Sequence, residues 1–294
     1  MSKQEKIREQ VSRDYAKAVT KPTGTGCCQP TTDTSSCCSA PVSKGQAIKL
    51  AGYDEAVLAG LPPDTVVNSF GCGNPVAYSG VKPGDVVVDL GSGAGIDILI
   101  AGKKVGPSGH VIGVDMTDEM IQRAEENIRA SGLTNVEVRK GIIEDLPVDS
   151  ATVDWVISNC VINLSPEKPK VFTEIARVLK PGGQMMVSDI VVEDLPDWVR
   201  ENEILYSSCV AGAISEAQYI NGLRQSGLVD IEVRDRLIYD ASMLKGLIQS
   251  ELSDTDSSIA ELMESIGQQK AAELIRQLAG QIWSINVYAR KISI

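Results

Sequence analysis

The most reactive side chains in this chain are its seven cysteines: Cys27, Cys28, Cys37, Cys38, Cys72, Cys160 and Cys209. The first four form two vicinal pairs inside a stretch rich in Thr, Ser, Pro and Gly. The other three stand far apart in turn-like contexts. Cys72 lies in Gly71-Cys72-Gly73-Asn74-Pro75, Cys160 in Ser158-Asn159-Cys160-Val161, and Cys209 in Ser207-Ser208-Cys209-Val210-Ala211-Gly212. Structural zinc sites space their cysteines by two to four residues, and neither arrangement does so. Taken singly, each isolated cysteine is more often core than ligand, because free cysteine is among the most buried residue types. The turn contexts shift that balance toward thiols kept for chemistry or for a soft ion. The only histidine is His110, at the start of an apolar run. No site needing two imidazoles is available.

A second constellation is built from glycines and acids. Asp89-Leu90-Gly91-Ser92-Gly93-Ala94-Gly95 follows a run of three valines. A glycine loop there lets the backbone approach a ligand closely. The spacing Gly-x-Gly-x-Gly departs from the dinucleotide fingerprint, which has two residues between its second and third glycines. Asp115 ends the next apolar run, where an acid can accept from two ribose hydroxyls. Ile143 and Glu144 follow the one after that. There an acid can accept from an adenine amine while an apolar neighbour covers the ring.

Elements that alternate in type must position these residues. Apolar runs predict strands at 85–90, 110–115, 136–140, 153–158, 184–189 and 230–239, and an alternating run predicts a final one at 282–290. Helices are predicted over 4–19, 96–104, 117–131 with Thr117 as N-cap, 167–178 and 215–226. Lys180-Pro181-Gly182-Gly183 reads as the turn before the fifth strand. The alternation demands right-handed crossovers and a mostly parallel sheet covered on both faces, a Rossmann-like doubly wound α/β fold with helical additions. Four segments follow: an N-terminal helix with the cysteine-rich stretch (1–45), the core (46–240), a helical insertion (241–280) and a final core strand (281–294). A net charge of −11 opposes contact with nucleic acid phosphates. The charged start and the lack of any long apolar run lead us to expect a soluble cytoplasmic protein without membrane contact.

The glycine loop, Asp115, the Glu144-Asp145-Leu146-Pro147 string and the Lys-Pro-Gly-Gly turn, in that order, resemble class I S-adenosylmethionine-dependent methyltransferases. The resemblance implies that Asp89, Gly91 and Gly93 surround the cofactor's methionine part, Asp115 its ribose, and Ile143 and Glu144 its adenine. Ser92, Met116 and Asn159 complete the expected cofactor set. A closer resemblance, to arsenite methyltransferases, is carried by Phe70–Pro75, Val88–Gly95, Ile143–Pro147, Ser158–Ser165, Arg177–Gly183, Ser188–Val191 and Ser208–Ile214. It implies trivalent arsenic held by Cys72, Cys160 and Cys209, with the vicinal pairs capturing arsenite or joining a later disulfide step. Arsenite or its thiol conjugate is then the substrate. A thiol reductant of the thioredoxin or glutathione type is the co-substrate, and arsenic detoxification is the role. Arsenic presents a lone pair and no proton, so no general base is needed. Two other readings are open: a methyltransferase for a small organic acceptor such as a quinone, and a non-enzymatic thiolate metal-binding protein.

Overall fold

The computed structural model describes residues 1–20, 52–69, 71, 73–200, 206, 209–244 and 267–293. Its spine is a seven-stranded sheet of order β3-β2-β1-β4-β5-β7-β6. The strands are β1 (Val86–Leu90), β2 (His110–Asp115), β3 (Val136–Lys140), β4 (Val153–Asn159), β5 (Leu179–Val192), β6 (Leu228–Ile238) and β7 (Ile282–Lys291). β1 to β5 are parallel. β7 inserts antiparallel between β5 and β6.

The apolar runs make strands because both sheet faces are covered. Alternate residues go to opposite faces. Val87, Val111, Trp155 and Met186 join one core cluster, and Val88, Ile112, Val156 and Met185 the other. Fully burying each such side chain contributes about 1.5–3 kcal/mol. The helices are α1 (Lys3–Thr20), α2 (Glu55–Ala59), α3 (Pro63–Val67), α4 (Pro75–Tyr78), α5 (Ile96–Val105), α6 (Asp118–Ser131), α7 (Lys168–Val178), α8 (Asp197–Arg200), α9 (Glu216–Gln225) and α10 (Gln268–Leu278). A 3₁₀ turn spans Ile162–Leu164.

Two expectations need correction. Lys180-Pro181-Gly182-Gly183 does not precede the fifth strand but lies within it. The pairing jumps from Val153↔Leu179 to Trp155↔Gln184, so the string is accommodated as a bulge against β4. Thr117 stands at the N-cap of α6, yet its side chain caps nothing. Its backbone N–H instead donates to Asp115 Oδ1 at 2.9 Å, and its hydroxyl lies 3.3 Å from that of Ser12 on α1. The cysteine-rich stretch 27–38 and most of the expected insertion at 241–280 lie outside the described residues. No described helix is long and apolar enough to cross a membrane.

Candidate active site

The carboxyl ends of β1, β2 and β4 open into a cavity lined by residues that include Asp89, Gly91, Ser92, Gly93, Asp115, Met116, Ile143, Glu144 and Asn159. All nine expected cofactor residues therefore share one wall-to-wall space, and Cys160 lines it as well. Gly91 adopts φ +66° because the chain turns sharply off β1, and an added Cβ there would come within 2.4 Å of Val161. Gly93, at φ +50°, has nothing within 4 Å of where a Cβ would point. Its N–H donates to Asp115 Oδ2 at 2.9 Å, which fixes the loop to the end of β2.

The electrostatics of this cavity are those of a cation site. Asp89 and Asp97 are buried, at 2% and 3% exposure. Burial pushes the Asp97 carboxyl up to about 6, against the hydrogen bonds from Tyr53 and Asn159. Burial also raises Asp89 well above the usual carboxylate range, and the like charges of Asp97 and Asp115 add to it. A cationic ligand relieves such a pair. Three buried polar atoms on the lining have no protein partner: Thr65 Oγ1, Asn68 Oδ1 and Ser92 Oγ. Orphaned groups of this kind call for a polar ligand. The acids, the orphaned oxygens and the open cradle at Gly93 fit S-adenosylmethionine, which carries an ammonium, a sulfonium, a carboxylate and a ribose.

The roof is α1, which contributes Arg8, Val11 and Tyr15 to the lining. Arg8 Nε donates to Glu144 Oε1 at 3.1 Å, and Ser165 Oγ donates to the same oxygen at 2.6 Å. Arg8 also pairs with Glu167. Sequence reasoning missed Arg8, Tyr53, Thr65, Asn68 and Asp97. Asp97 alone left a signal, as an acid inside the apolar string Ile96-Asp97-Ile98-Leu99-Ile100.

Two of the three expected arsenic ligands fall together, Cys160 on the lining of this cavity and Cys209 against the Cys160 backbone. Cys209 Sγ donates to the carbonyl oxygen of Cys160 at 2.9 Å and lies 3.9 Å from the Tyr15 hydroxyl. Both cysteines are 4% exposed and join one apolar cluster. Both also take left-handed backbone, with φ 59° at Cys160 and φ 61° at Cys209. For a non-glycine residue that conformation costs about 1–2 kcal/mol. Such strain concentrates at functional sites. The Cys160 sulfur is in a disulfide, which must be reduced before it can act as a ligand. Cys72, like the vicinal pairs, lies outside the described residues. Among the described residues no three His, Cys, Asp or Glu side chains converge on one point.

Behind the two cysteines, Lys168 is buried and donates to the carbonyls of Asn163 at 3.1 Å and Ser165 at 2.9 Å. Burial pulls its ammonium down to about 8. The neighbouring Asp189 accepts from Asn163 Nδ2 and the Ile190 N–H, and burial pushes it up to about 7. His110 begins β2 and faces Glu137 at 3.2 Å, away from the cavity lining.

Residues 81–266 match the family model described as a methyltransferase domain. The chain belongs to that family, and its sheet is the class I methyltransferase fold. Over 234 residues it is 42% identical to the arsenite methyltransferase of Halobacterium salinarum, covering 78% of this chain and 59% of that protein. It is 35% identical to the arsenite methyltransferase of Aquipseudomonas alcaligenes, over 78% of this chain and 62% of that one. A crystal structure of an arsenic(III) S-adenosylmethionine methyltransferase from Chlamydomonas reinhardtii is similar at a TM-score of 0.63 and 32% identity, over 81% of this chain and 73% of that one. The chain spans about three fifths of the length of the two curated relatives.

Proposed function

We propose that this chain transfers a methyl group from S-adenosylmethionine to trivalent arsenic held by Cys72, Cys160 and Cys209. The observation that carries this reading is the contact of Cys209 with Cys160, which lines the same cavity as Asp89, Gly93, Asp115 and Glu144. Bound there, the cofactor supplies an electrophilic methyl on a positively charged sulfur. Asp89 and Asp97 hold its positive amino-acid end, Asp115 its ribose, and Ile143 with Glu144 its adenine. Ser92, Met116 and Asn159 complete the lining.

Thiolates suit a soft, thiophilic centre. Three of them around arsenic leave its lone pair directed at the methyl carbon. As the arsenic–carbon bond forms, the carbon–sulfur bond breaks and its electron pair stays on the departing thioether. No proton moves, which agrees with a cavity that contains no histidine. Positioning and exclusion of water are the protein's part, and the α1 roof serves both. Arsenic has then given up an electron pair. Two thiolates leaving it as a disulfide return it to the trivalent state, and an external thiol reductant of the thioredoxin or glutathione type restores the cysteines. The vicinal pairs Cys27-Cys28 and Cys37-Cys38 are a first capture point for arsenite or members of that disulfide chain. We place this chemistry in the cytoplasm, where such reductants act. The division into a cysteine-rich N-terminal segment, a core, a helical insertion and a closing strand belongs to the same proposal.

The test is release of S-adenosylhomocysteine with arsenite, thiol and cofactor, for the wild type and for Cys72→Ser, Cys160→Ser and Cys209→Ser. Arsenite-dependent turnover lost in the variants is the expected result. Turnover that ignores arsenite, or that survives all three changes, overturns it and points to an organic acceptor.

A further inference from the structure

The structure assigns a second task to Asn159: we infer that it is the positioning residue of the thiol site, clasping Gly71 and Gly73, the chain neighbours of Cys72, against the end of β4. This rests on the arsenic reading above and deepens it. Asn159 is the last residue of β4 and directly precedes Cys160. Its Oδ1 accepts the N–H of Gly73 at 3.1 Å, and its Nδ2 donates to the carbonyl of Gly73 at 2.7 Å. Both ends of one carboxamide thus read both backbone groups of one glycine.

The fit requires glycine on both sides of position 72. A Cβ on Gly71 would stand 2.2 Å from Asn159 Nδ2, and one on Gly73 would stand 2.5 Å from Ser188 Cβ. Ser188 is the β5 partner of Asn159 in the sheet, and its carbonyl accepts the Cys160 N–H at 2.8 Å. Gly71, Gly73 and the Cys160 backbone therefore take their register from one rung of the sheet. That rung continues to Asn286 on β7, which accepts from the Ser188 hydroxyl.

The same amide ties these glycines to the cofactor side. Asn159 Nδ2 lies 3.0 Å from the Tyr53 hydroxyl and 3.2 Å from Asp97 Oδ2, while Tyr53 donates to Asp97 Oδ1 at 2.8 Å. An amide nitrogen has two hydrogens for these three acceptors. The carbonyl of Gly73 is the nearest, and Tyr53 and Asp97 share what remains. Asn159 lines the cofactor cavity, but its polar atoms are turned to protein.

The experiment uses the full-length chain, reduced beforehand. A short bifunctional thiol reagent bridges Cys72 to Cys160, and peptide mass mapping gives the rate of that bridge alone. The same preparations yield the arsenite KM, kcat and, by calorimetry, the S-adenosylmethionine Kd. For Asn159→Ala, we expect bridging slowed and the arsenite KM raised, each by roughly 10- to 100-fold, while the cofactor Kd rises by less, through the lost hydrogen bond to Asp97. Gly73→Ala displaces the clasped glycine by its contact with Ser188, leaves the Asn159–Asp97 bond in place, and is expected to slow bridging with the cofactor Kd changed by no more than about threefold. It decides the matter if Asn159→Ala does not fold. Unchanged bridging in a folded variant overturns the inference. So does a cofactor Kd that rises as much as the arsenite KM, since Asn159 is then a cofactor ligand. Slowed bridging in a wild-type background that never turns over arsenite upholds the clasp and overturns the arsenic reading instead.

Discussion

Arg8 and Glu144, 136 positions apart in the chain, meet at 3.1 Å on the wall of the cofactor cavity. Their side chains are 16% and 4% exposed. A pair buried to that degree lies between the weak exposed case and the strong fully buried one. Its loss is worth about 1–2 kcal/mol. The pair fastens the roof helix to the acid assigned to adenine. Arg8→Met should release bound S-adenosylmethionine roughly tenfold faster, read by stopped-flow fluorescence. Release at the wild-type rate from a folded variant would show that α1 is not held by this contact.

Asp97, at about 6, makes cofactor affinity depend on pH. A positively charged ligand prefers the ionised acid, so affinity rises with pH through 6. Below that point it falls by about tenfold per pH unit. Calorimetric titrations from pH 5 to 8 should show the slope in the wild type, and Asp97→Asn should flatten it at a lower plateau. An unchanged slope in Asp97→Asn would assign the proton elsewhere.

The left-handed backbone at Cys160 and Cys209 sets function against stability. Glycine takes that conformation without strain, whereas alanine does not. Under reducing conditions, Cys160→Gly and Cys209→Gly should each be more stable than the matching alanine variant, by about 1 kcal/mol in denaturant titration. All four should lose arsenite-dependent turnover. Equal stabilities within each pair would mean that the backbone there is unstrained.

Asp189 carries a pH signature of its own. Folded, it keeps its proton to about pH 7, whereas an unfolded aspartate gives it up near 4. Between those values the folded state holds more protons, so this group's contribution to stability falls as pH rises. Asp189→Asn removes the dependence. The melting temperature of Asp189→Asn minus that of the wild type should climb between pH 4.5 and 7, then level off. A difference that stays constant across that range would exclude a buried titration at Asp189.

The parts of this molecule legible in the sequence are those whose signal is local. The valine runs of β1 and β2 alternate faces, the Gly91–Gly95 loop announces a tight turn, and Asp115 ends a strand whose neighbours are apolar. Each carries its information within a few residues. Thr65 and Asn68 enter the cavity from α3 and its C-cap, a five-residue helix too short to show an amphipathic period, and Tyr53 reaches Asp97 from a stretch outside any helix. The bulge at Lys180–Gly183 was hidden for a different reason. A Lys-Pro-Gly-Gly string is turn chemistry, and only the pairing of Leu179 with Val153 keeps it inside a strand. The clasp between Asn159 and Gly73 joins two motifs that were each visible, across 86 positions that no local pattern spans.

The roof helix also has a consequence for the order in which the chain takes shape as it is made. α1 is synthesised ahead of everything it docks on. Ser12 waits 105 residues for Thr117, Arg8 waits 159 for Glu167, and Tyr15 waits 194 for Cys209. An isolated helix of 18 residues is marginal in water. Until β2, α6 and the start of α7 have left the ribosome, α1 has no surface to settle on. Contacts this distant in sequence form slowly. The nascent chain therefore lays down β1 to β4 before α1 can close the cavity over their carboxyl ends.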